Sequence, residues 1–272
     1  QVLRRVEREK CDRILCLGSG ISCDEGRYPT QTTLCQKSLR NNEQREIHAT
    51  SVDGTDLTAF PAERALDPAK LHWFLDVQQT GYCLPAGQNI TVARKHQTSR
   101  DVNDLENTEG DFLTAWIDHG QAPQNAGYEY LLAVRATPQT LRQLAADPPY
   151  RVLQRDDAAH LVWDTAGRRW GCVFFAPQQD LSHSVAKETL PVKAVDRPCL
   201  VMAQAARDGT LDLSVADPDL NLENNVSQPQ PLRLTLHGSW RLLAARGAVC
   251  VWPLTDTDKQ VRLVSASPAE TV

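Results

Sequence analysis

The segment from Phe112 to Tyr130, FLTAWIDHGQAPQNAGYEY, holds the residues of this sequence best suited to chemistry. His119 follows Asp118 and precedes Gly120, and Tyr128 and Tyr130 lie a short loop downstream. An imidazole beside a carboxylate, with phenols nearby, has the makings of a proton-transfer set, because His and Tyr act as bases when their pKa approaches the working pH. The same residues can equally brace a hairpin. Polar loop groups would then satisfy backbone donors and acceptors, while the tyrosines pack by their rings and bond by their hydroxyls. Residue types alone favour the brace. Asp118, His119, Gly120, Tyr128 and Tyr130 are therefore motif and structural candidates, and no residue is assigned a catalytic role.

Other chemistry-bearing stretches carry less. Ile14-Leu15-Cys16-Leu17-Gly18-Ser19-Gly20 begins as a strand feeding G-x-G, but Cys23 stands where a dinucleotide fingerprint needs its third glycine and no helix pattern follows. The expectation there is a β-turn between strands, with Pro29, Thr32 and Thr33 in a loop or strand. Asp217-Pro218-Asp219-Leu220-Asn221 lacks the glycine and the glutamate of a calcium loop and reads as a turn. His72 and Trp73 beside Asp76 suggest either a sugar-stacking patch or a core tryptophan. His48, His96, His160, His183 and His237 are scattered, with no close partner at ligand spacing. The cysteines, Cys11, Cys16, Cys23, Cys35, Cys83, Cys172, Cys199 and Cys250, form no CxxC pair, so mostly free, buried thiols are expected. Neither a metal nor a cofactor is expected.

The elements that must position these residues are strands. Leu211, Leu213 and Val215 alternate with polar neighbours, as do Leu232, Leu234 and Leu236, and Val261 and Leu263. Strand signals also cover Arg13–Leu17, Ile90–Ala93, Phe112–Ile117, Tyr128–Val134, Leu161–Trp163, Cys172–Phe175 and Val249–Trp252. Alternation places Trp116 and Asp118 on one face of their strand and Ala115 and Ile117 on the other, while Tyr128 and Tyr130 share a face of the next. Asp53-Gly54, Pro85-Ala86-Gly87, Ala166-Gly167 and Asp208-Gly209 mark turns. One helix is predicted over Pro138–Ala146. Thr137 is its N-cap, Pro138 sits at N1, Leu141, Leu144 and Ala145 share a face, and Pro148-Pro149 stops it. Glu43 to Arg64 reads as a surface loop. The fold class is all-β, an antiparallel sandwich, with a domain boundary near residue 147.

Composition narrows the function classes. The chain has 272 residues, 41% of them hydrophobic and 23% charged, which excludes a disordered chain, a coiled coil and a collagen. A net charge of −5 argues against nucleic acid as a partner, since a duplex binder carries a basic excess. No apolar run approaches the roughly 20 residues of a helical membrane span. The first residues, QVLRRVEREK, have neither an initiator Met nor an apolar signal-peptide core, which predicts a mature piece or a fragment of something longer.

Several blocks, in order along the chain, resemble polysaccharide lyase family 8, and within it the chondroitin sulfate ABC lyases. Asp12-Arg13-Ile14-Leu15-Cys16-Leu17-Gly18-Ser19-Gly20-Ile21, with Tyr28-Pro29 and Thr32-Thr33-Leu34-Cys35-Gln36, is similar to one block, and Gly81-Tyr82 before Pro85 to another. Trp116-Ile117-Asp118-His119-Gly120 with Pro123, Asn125-Ala126 and Tyr128-Glu129-Tyr130 is similar to the most specific one. Asp208-Gly209-Thr210-Leu211 with Asp217-Pro218 resembles strands of the family's terminal domain. Cys16, Cys35, Arg4 and Arg5 depart from the bulky residues expected of the family.

The resemblance implies a bacterial, secreted or periplasmic enzyme that degrades glycosaminoglycans by β-elimination. The family fold is an α/α toroid, a large antiparallel β-sandwich region and a smaller terminal β-sandwich domain. Residues 1–147 would be the second half of the central sandwich and 148–272 the terminal domain. The toroid, with its catalytic Asn, His, Tyr and Arg, would lie upstream of Gln1, as would a Glu early in the sandwich region. His119 and Tyr128 belong to the sandwich motif and inherit no catalytic role. The chain alone is then expected to be inactive and to meet an acidic polysaccharide only through the complete enzyme. An independent carbohydrate-binding β-sandwich module is the alternative.

Overall fold

Alternating apolar and polar residues make strands of most of the chain, and the sheets hide the apolar side of each. The computed structural model describes residues 13–39, 50–185, 188–206, 209–219, 222–223, 226–227, 230–246 and 260–265. Arg4, Arg5, Cys11, His48, Asn221, Cys250 and the strand expected over Val249–Trp252 lie outside the described residues. The chain divides into two units, Gln1–Pro148 and Pro149–Val272.

The first unit runs β1 (Arg13–Ile21), β2 (Pro29–Ser38), β3 (Thr50–Val52), β4 (Thr55–Leu57), β5 (Ala62–Ala65), β6 (His72–Leu75), β7 (Gly81–Leu84), β8 (Asn89–Arg100), β9 (Asn107–Gln121), β10 (Ala126–Ala133) and α1 (Pro138–Ala146). One sheet has the order β1-β10-β7-β6-β3-β4 and the other β2-β9-β8-β5, with antiparallel pairing throughout. Val52, Phe74, Tyr82 and Leu84 from the first sheet meet Cys35, Ile90, Val92, Leu113, Ala115 and Ile117 from the second in one apolar core. Each fully buried Leu, Ile or Phe contributes about 1.5–3 kcal/mol. The helix forms as its sequence requires. Thr137 Oγ1 accepts the Thr140 N–H at 3.1 Å, and Leu141 and Leu144 are buried while α1 packs on β6 and β7.

Two local expectations are corrected. Gly18-Ser19-Gly20 is no turn between strands but part of β1, where the pairing with β10 shifts register between Gly18 and Ile21. This is a bulge, and Gly18 is required beside it because a Cβ there would overlap the Tyr128 ring. The stretch 50–64 is no loop either, since β3, β4 and the start of β5 occupy it and Val52 is fully buried. The Asp53-Gly54 signal supplies the left-handed pair, φ 52° and 85°, of a hairpin turn.

The second unit runs β11 (Tyr150–Arg155), β12 (Ala159–Asp164), β13 (Arg169–Phe174), β14 (Ser184–Val185), β15 (Glu188–Thr189), β16 (Val192–Val195), β17 (Cys199–Ala205), β18 (Leu211–Ala216), β19 (Leu222–Glu223), β20 (Val226–Ser227), β21 (Leu234–Leu236), β22 (Arg241–Arg246) and β23 (Gln260–Ser265). Its main sheet has the order β11-β12-β13-β17-β18-β23-β22. It is antiparallel except where β23 runs parallel to both neighbours. Leu161, Trp163, Trp170, Cys172, Phe174, Val201 and Leu213 line its buried face, with the two indoles 4.9 Å apart. Asp164 closes the β12–β13 turn, accepting from the N–H groups of Ala166 and Gly167 and pairing with Arg169 at 3.1 Å. No helix among the described residues is long and apolar enough to cross a membrane.

Candidate functional site

Strand β9 ends in a bulge that gathers the motif residues. Pro29 pairs with Gln121 and Gln31 with Asp118, so β9 carries one more residue than β2 at His119-Gly120. Asp118 Oδ1 accepts the Gly120 N–H at 2.8 Å, and Gly120 takes φ 80°, a conformation glycine reaches without strain. His119 Nε2 shares a hydrogen bond of 2.7 Å with the Thr32 hydroxyl of β2. The loop beyond is tied to the chain leaving β1: Cys23 N–H donates to the Pro123 carbonyl at 3.0 Å, and Asn125 N–H to Ser22 Oγ at 3.0 Å.

Strand β10 then brings in the tyrosines. Tyr128 lies opposite Gly18 and Tyr130 opposite Cys16, and both rings pack against the unit's core with centroids 5.7 Å apart. The Gln88 side-chain amide bonds the backbone N–H and carbonyl of Glu129 between them, at 2.9 and 2.8 Å. Burial pushes both phenols above their ordinary pKa, and a hydrogen bond with Cys16 adds to the effect at Tyr130. Burial lowers the His119 pKa, opposed by the neighbouring Asp118 charge. The tyrosines are thus pushed away from the range of a base at neutral pH. Among the described residues no hydrogen bond joins His119 to either tyrosine, so the five motif residues share one corner without forming an acid–base pair.

The remaining candidates fall elsewhere. His72 is buried, with Nδ1 2.7 Å from Asp53 Oδ2 and Nε2 2.8 Å from the Asp67 carbonyl. Trp73 is buried too, with Arg142 of α1 5.9 Å from its ring centre, and Asp76 accepts from Gln78 N–H, Thr80 N–H and the Tyr82 hydroxyl. A sugar-stacking patch at His72-Trp73 is therefore excluded, because both side chains are buried in the fold. Asp217 Oδ1 accepts the Asp219 N–H at 2.9 Å, an Asx turn, while Leu220 and Asn221 lie outside the described residues. Cys16, Cys23, Cys35, Cys83, Cys172 and Cys199 are free thiols, in no disulfide. Burial pushes the Cys35, Cys83 and Cys199 thiols up to about 12, far from a reactive thiolate. Among the described residues no three His, Cys, Asp or Glu side chains group as metal ligands would.

Sequence reasoning missed two clusters that only strand pairing creates. His96 of β8 lies 3.0 Å from Asp111 and 3.6 Å from Glu109 of β9, which raises its pKa through the hydrogen bond with Asp111 first. On the outward face of β9, the Trp116 ring has the Lys95 ammonium 5.0 Å from its centre. Beside it Gln36 donates to Gln97 at 2.5 Å, and Gln97 to the Thr114 hydroxyl at 2.9 Å. Part of the signal was present: alternation set Trp116 on the face opposite Ala115 and Ile117, but only the strand pairing shows that face to be the outer one and brings Lys95 to it.

Known proteins match this chain over most of its length. "Polysaccharide lyase family 8, super-sandwich domain" matches residues 11–145, and "Polysaccharide lyase family 8, C-terminal beta-sandwich domain" matches 151–225. A chondroitin sulfate ABC endolyase of Proteus vulgaris is 27% identical over 236 residues, 85% of this chain and 22% of that protein. A chondroitin sulfate ABC exolyase of the same organism is 35% identical over 215 residues, 78% of this chain and 19% of its own length. The chain thus spans about a fifth of the length of these curated relatives. A solved chondroitinase AC lyase shares the fold, with a TM-score of 0.62 at 21% identity, over 78% of this chain and 31% of that one.

Proposed function

The chain belongs to polysaccharide lyase family 8, and from that membership we propose that it forms the non-catalytic β region of a bacterial glycosaminoglycan lyase. Residues 1–147 supply part of the central sandwich and 148–272 the terminal β domain. Both buttress an α/α toroid and wall the cleft that holds the polymer. The polymer is chondroitin sulfate, dermatan sulfate or hyaluronan. A polymer of that size is met outside the cytoplasm, so the complete enzyme is secreted or periplasmic.

The chemistry sets the requirement. A base removes the C5 proton of the uronate, its electrons form the C4–C5 double bond, and the C4–O bond breaks as an acid protonates the leaving oxygen. The uronate carboxylate must be neutralised for the C5 proton to become acidic, which calls for preorganised donors or cations. The observation that carries the reading is the His119 corner. His119 is bonded to Thr32, Asp118 to Gly120, and the tyrosines lie in the core with raised pKa values. These groups hold a bulge and a loop in place, and the net charge of −5 supports no broad cationic trough for a polyanion.

The test is to incubate the purified chain with chondroitin sulfate and with hyaluronan and to follow the ultraviolet absorbance of the unsaturated uronate. The expected result is no product from the chain alone, with activity restored when the toroid is supplied. Steady product formation by the chain alone, abolished by His119→Ala or Tyr128→Phe, would place the chemistry here. The second reading, an independent carbohydrate-binding module, finds support in the outward Trp116 and would gain if toroid addition restored nothing while the polymer still bound.

A further inference from the structure

The outer face of the β2-β9-β8-β5 sheet is built unlike the inner one. Across it, Thr33, Trp116 and Thr91 form one row, and Gln31, Asp118 and Asn89 form the next, as the pairing of β9 with β2 and β8 sets them. Gln31, Thr33 and Asn89 are exposed, while Trp116, Thr91 and Lys95 are half-buried. A face built to pack on another apolar layer would carry rows of aliphatic side chains, as Leu113, Ala115 and Ile117 do on the opposite side of β9. Here the Trp116 indole stands among hydroxyls and amides, with Phe112 two rows away opposite Lys95.

That composition suits one kind of ligand. A pyranose ring offers an apolar C–H face to an indole and a rim of hydroxyls to amide and hydroxyl partners. Lys95 adds a cation at the ring, 5.0 Å from its centre. A cation–π contact at such a site holds it only weakly, so the ammonium can turn to a ligand anion. Asp118 keeps its negative charge while its Oδ1 accepts the Gly120 N–H, and it lies in the row on the other side of Trp116 from Lys95, so a ligand anion is directed to the Lys95 side.

We infer that this face, centred on Trp116 with Lys95 beside it, is an anchoring subsite for an acidic saccharide. The inference rests on the reading that the protein handles an acidic polysaccharide, and deepens it. Trp116 stacks on a sugar ring, Thr33 and Thr91 flank the stack, Gln31 and Asn89 take hydroxyls, and Lys95 pairs with a carboxylate or sulfate. A site with one aromatic and one cation binds weakly by itself. Its use is to hold a long polymer at a second point, where multivalency raises the occupancy of the cleft.

The experiment uses the 272-residue chain labelled for two-dimensional NMR, titrated with chondroitin tetrasaccharide to about 10 mM, a range that captures weak affinities. Trp116→Ala assigns the Trp116 indole signal. The expected result is a saturable shift of that signal. Read on the Gln31 and Asn89 side-chain amide signals, which every variant keeps, Trp116→Ala should weaken binding by at least about tenfold, the loss of one stacking contact. Trp116→Phe, which keeps a ring, should retain part of the affinity and shows that the loss is not one of folding. Lys95→Ala should weaken binding a few-fold and flatten its salt dependence, and neutral maltotetraose should bind less well than the acidic probe. No saturable shift, or equal affinity in Trp116→Ala, overturns the inference. If the complete enzyme forms unsaturated product while the Trp116 signal stays still, the subsite fails and the lyase reading stands. Saturable binding without product from the complete enzyme supports the subsite and removes the lyase reading.

Discussion

At the His119 corner every group that suggested chemistry is already packed or bonded into the fold, whereas on the outer face of the same strand a half-buried tryptophan stands among exposed polar groups. Asp118 meets Gly120, His119 meets Thr32 and the tyrosines meet the core, while Gln31, Thr33 and Asn89 are exposed around Trp116. The two sets sit a few residues apart on β9. The contrast teaches that residue type nominates a site and partners decide it. A histidine followed by two tyrosines draws more notice than a tryptophan between threonines, yet the second is better placed to meet a ligand.

The comparison breaks most readily at Gly18. A Cβ there would overlap the Tyr128 ring, and the Gly127 Cβ position is only 2.6 Å from the Gly18 carbonyl oxygen, so β1 and β10 have no slack. Gly18→Val should cost about 1–3 kcal/mol by overpacking, read as a lower urea midpoint with an unchanged slope. Tyr128→Ala in the same chain should recover part of that loss, giving a non-additive double-mutant cycle. Additive losses would mean that the corner is not packed as described.

His119→Ala comes next. Losing its bond to Thr32 should lower stability by about 0.5–1.5 kcal/mol, read in the same denaturation experiment. In the complete enzyme, turnover should fall by less than stability does. Turnover lost by orders of magnitude with unchanged melting would move His119 into the active site and remove the contrast between corner and face. Lys95→Ala, on the open face, should change stability by no more than about 0.5–1 kcal/mol, the worth of an exposed cation–π contact. A larger loss would show that Lys95 serves the fold, as His119 does.

How much of this was legible follows from how local each signal is. The helix at Pro138–Ala146 was readable because N-cap, N1 proline and proline stop all lie within one short stretch. The middles of β8 and β9 and most of β10 were readable from their apolar runs and alternation, but the polar outer ends of β8 and β9, out to Arg100 and Asn107, carried no such signal. His72–Leu75 and Gly81–Leu84 were not, because these short strands are buried almost throughout and show no alternation. Gly18-Ser19-Gly20 misled because glycine marks bulges as well as turns. The bonds that decide the site were out of reach for another reason: Thr32 and His119 are 87 residues apart, and His72 and Asp53 are 19 apart. No spacing rule covers such separations, since strand pairing alone sets them.

The smallest expected effect is a pH dependence that tells the corner from the exposed hairpin. Burial lowers the His119 pKa, so the folded protein holds this imidazole neutral below the ordinary value of about 6.5 where the unfolded chain already takes a proton. Above that value both states are neutral and the contribution is fully present. As pH falls through it the unfolded state gains the proton first, and stability declines until the lowered folded pKa is reached. His160 is shifted in the same direction, also by burial. His96 runs the other way: Asp111 and Glu109 raise its pKa, so its contribution is present at low pH and fades as pH rises through the folded value. Melting temperatures between about pH 5 and 8 for the wild type, His119→Gln and His96→Gln should separate them. His119→Gln should lose less stability on acidification than the wild type, and His96→Gln should lose more. Parallel curves for His119→Gln and the wild type would mean that its imidazole is solvated in the folded state, and the corner would then be as open as the face around Trp116.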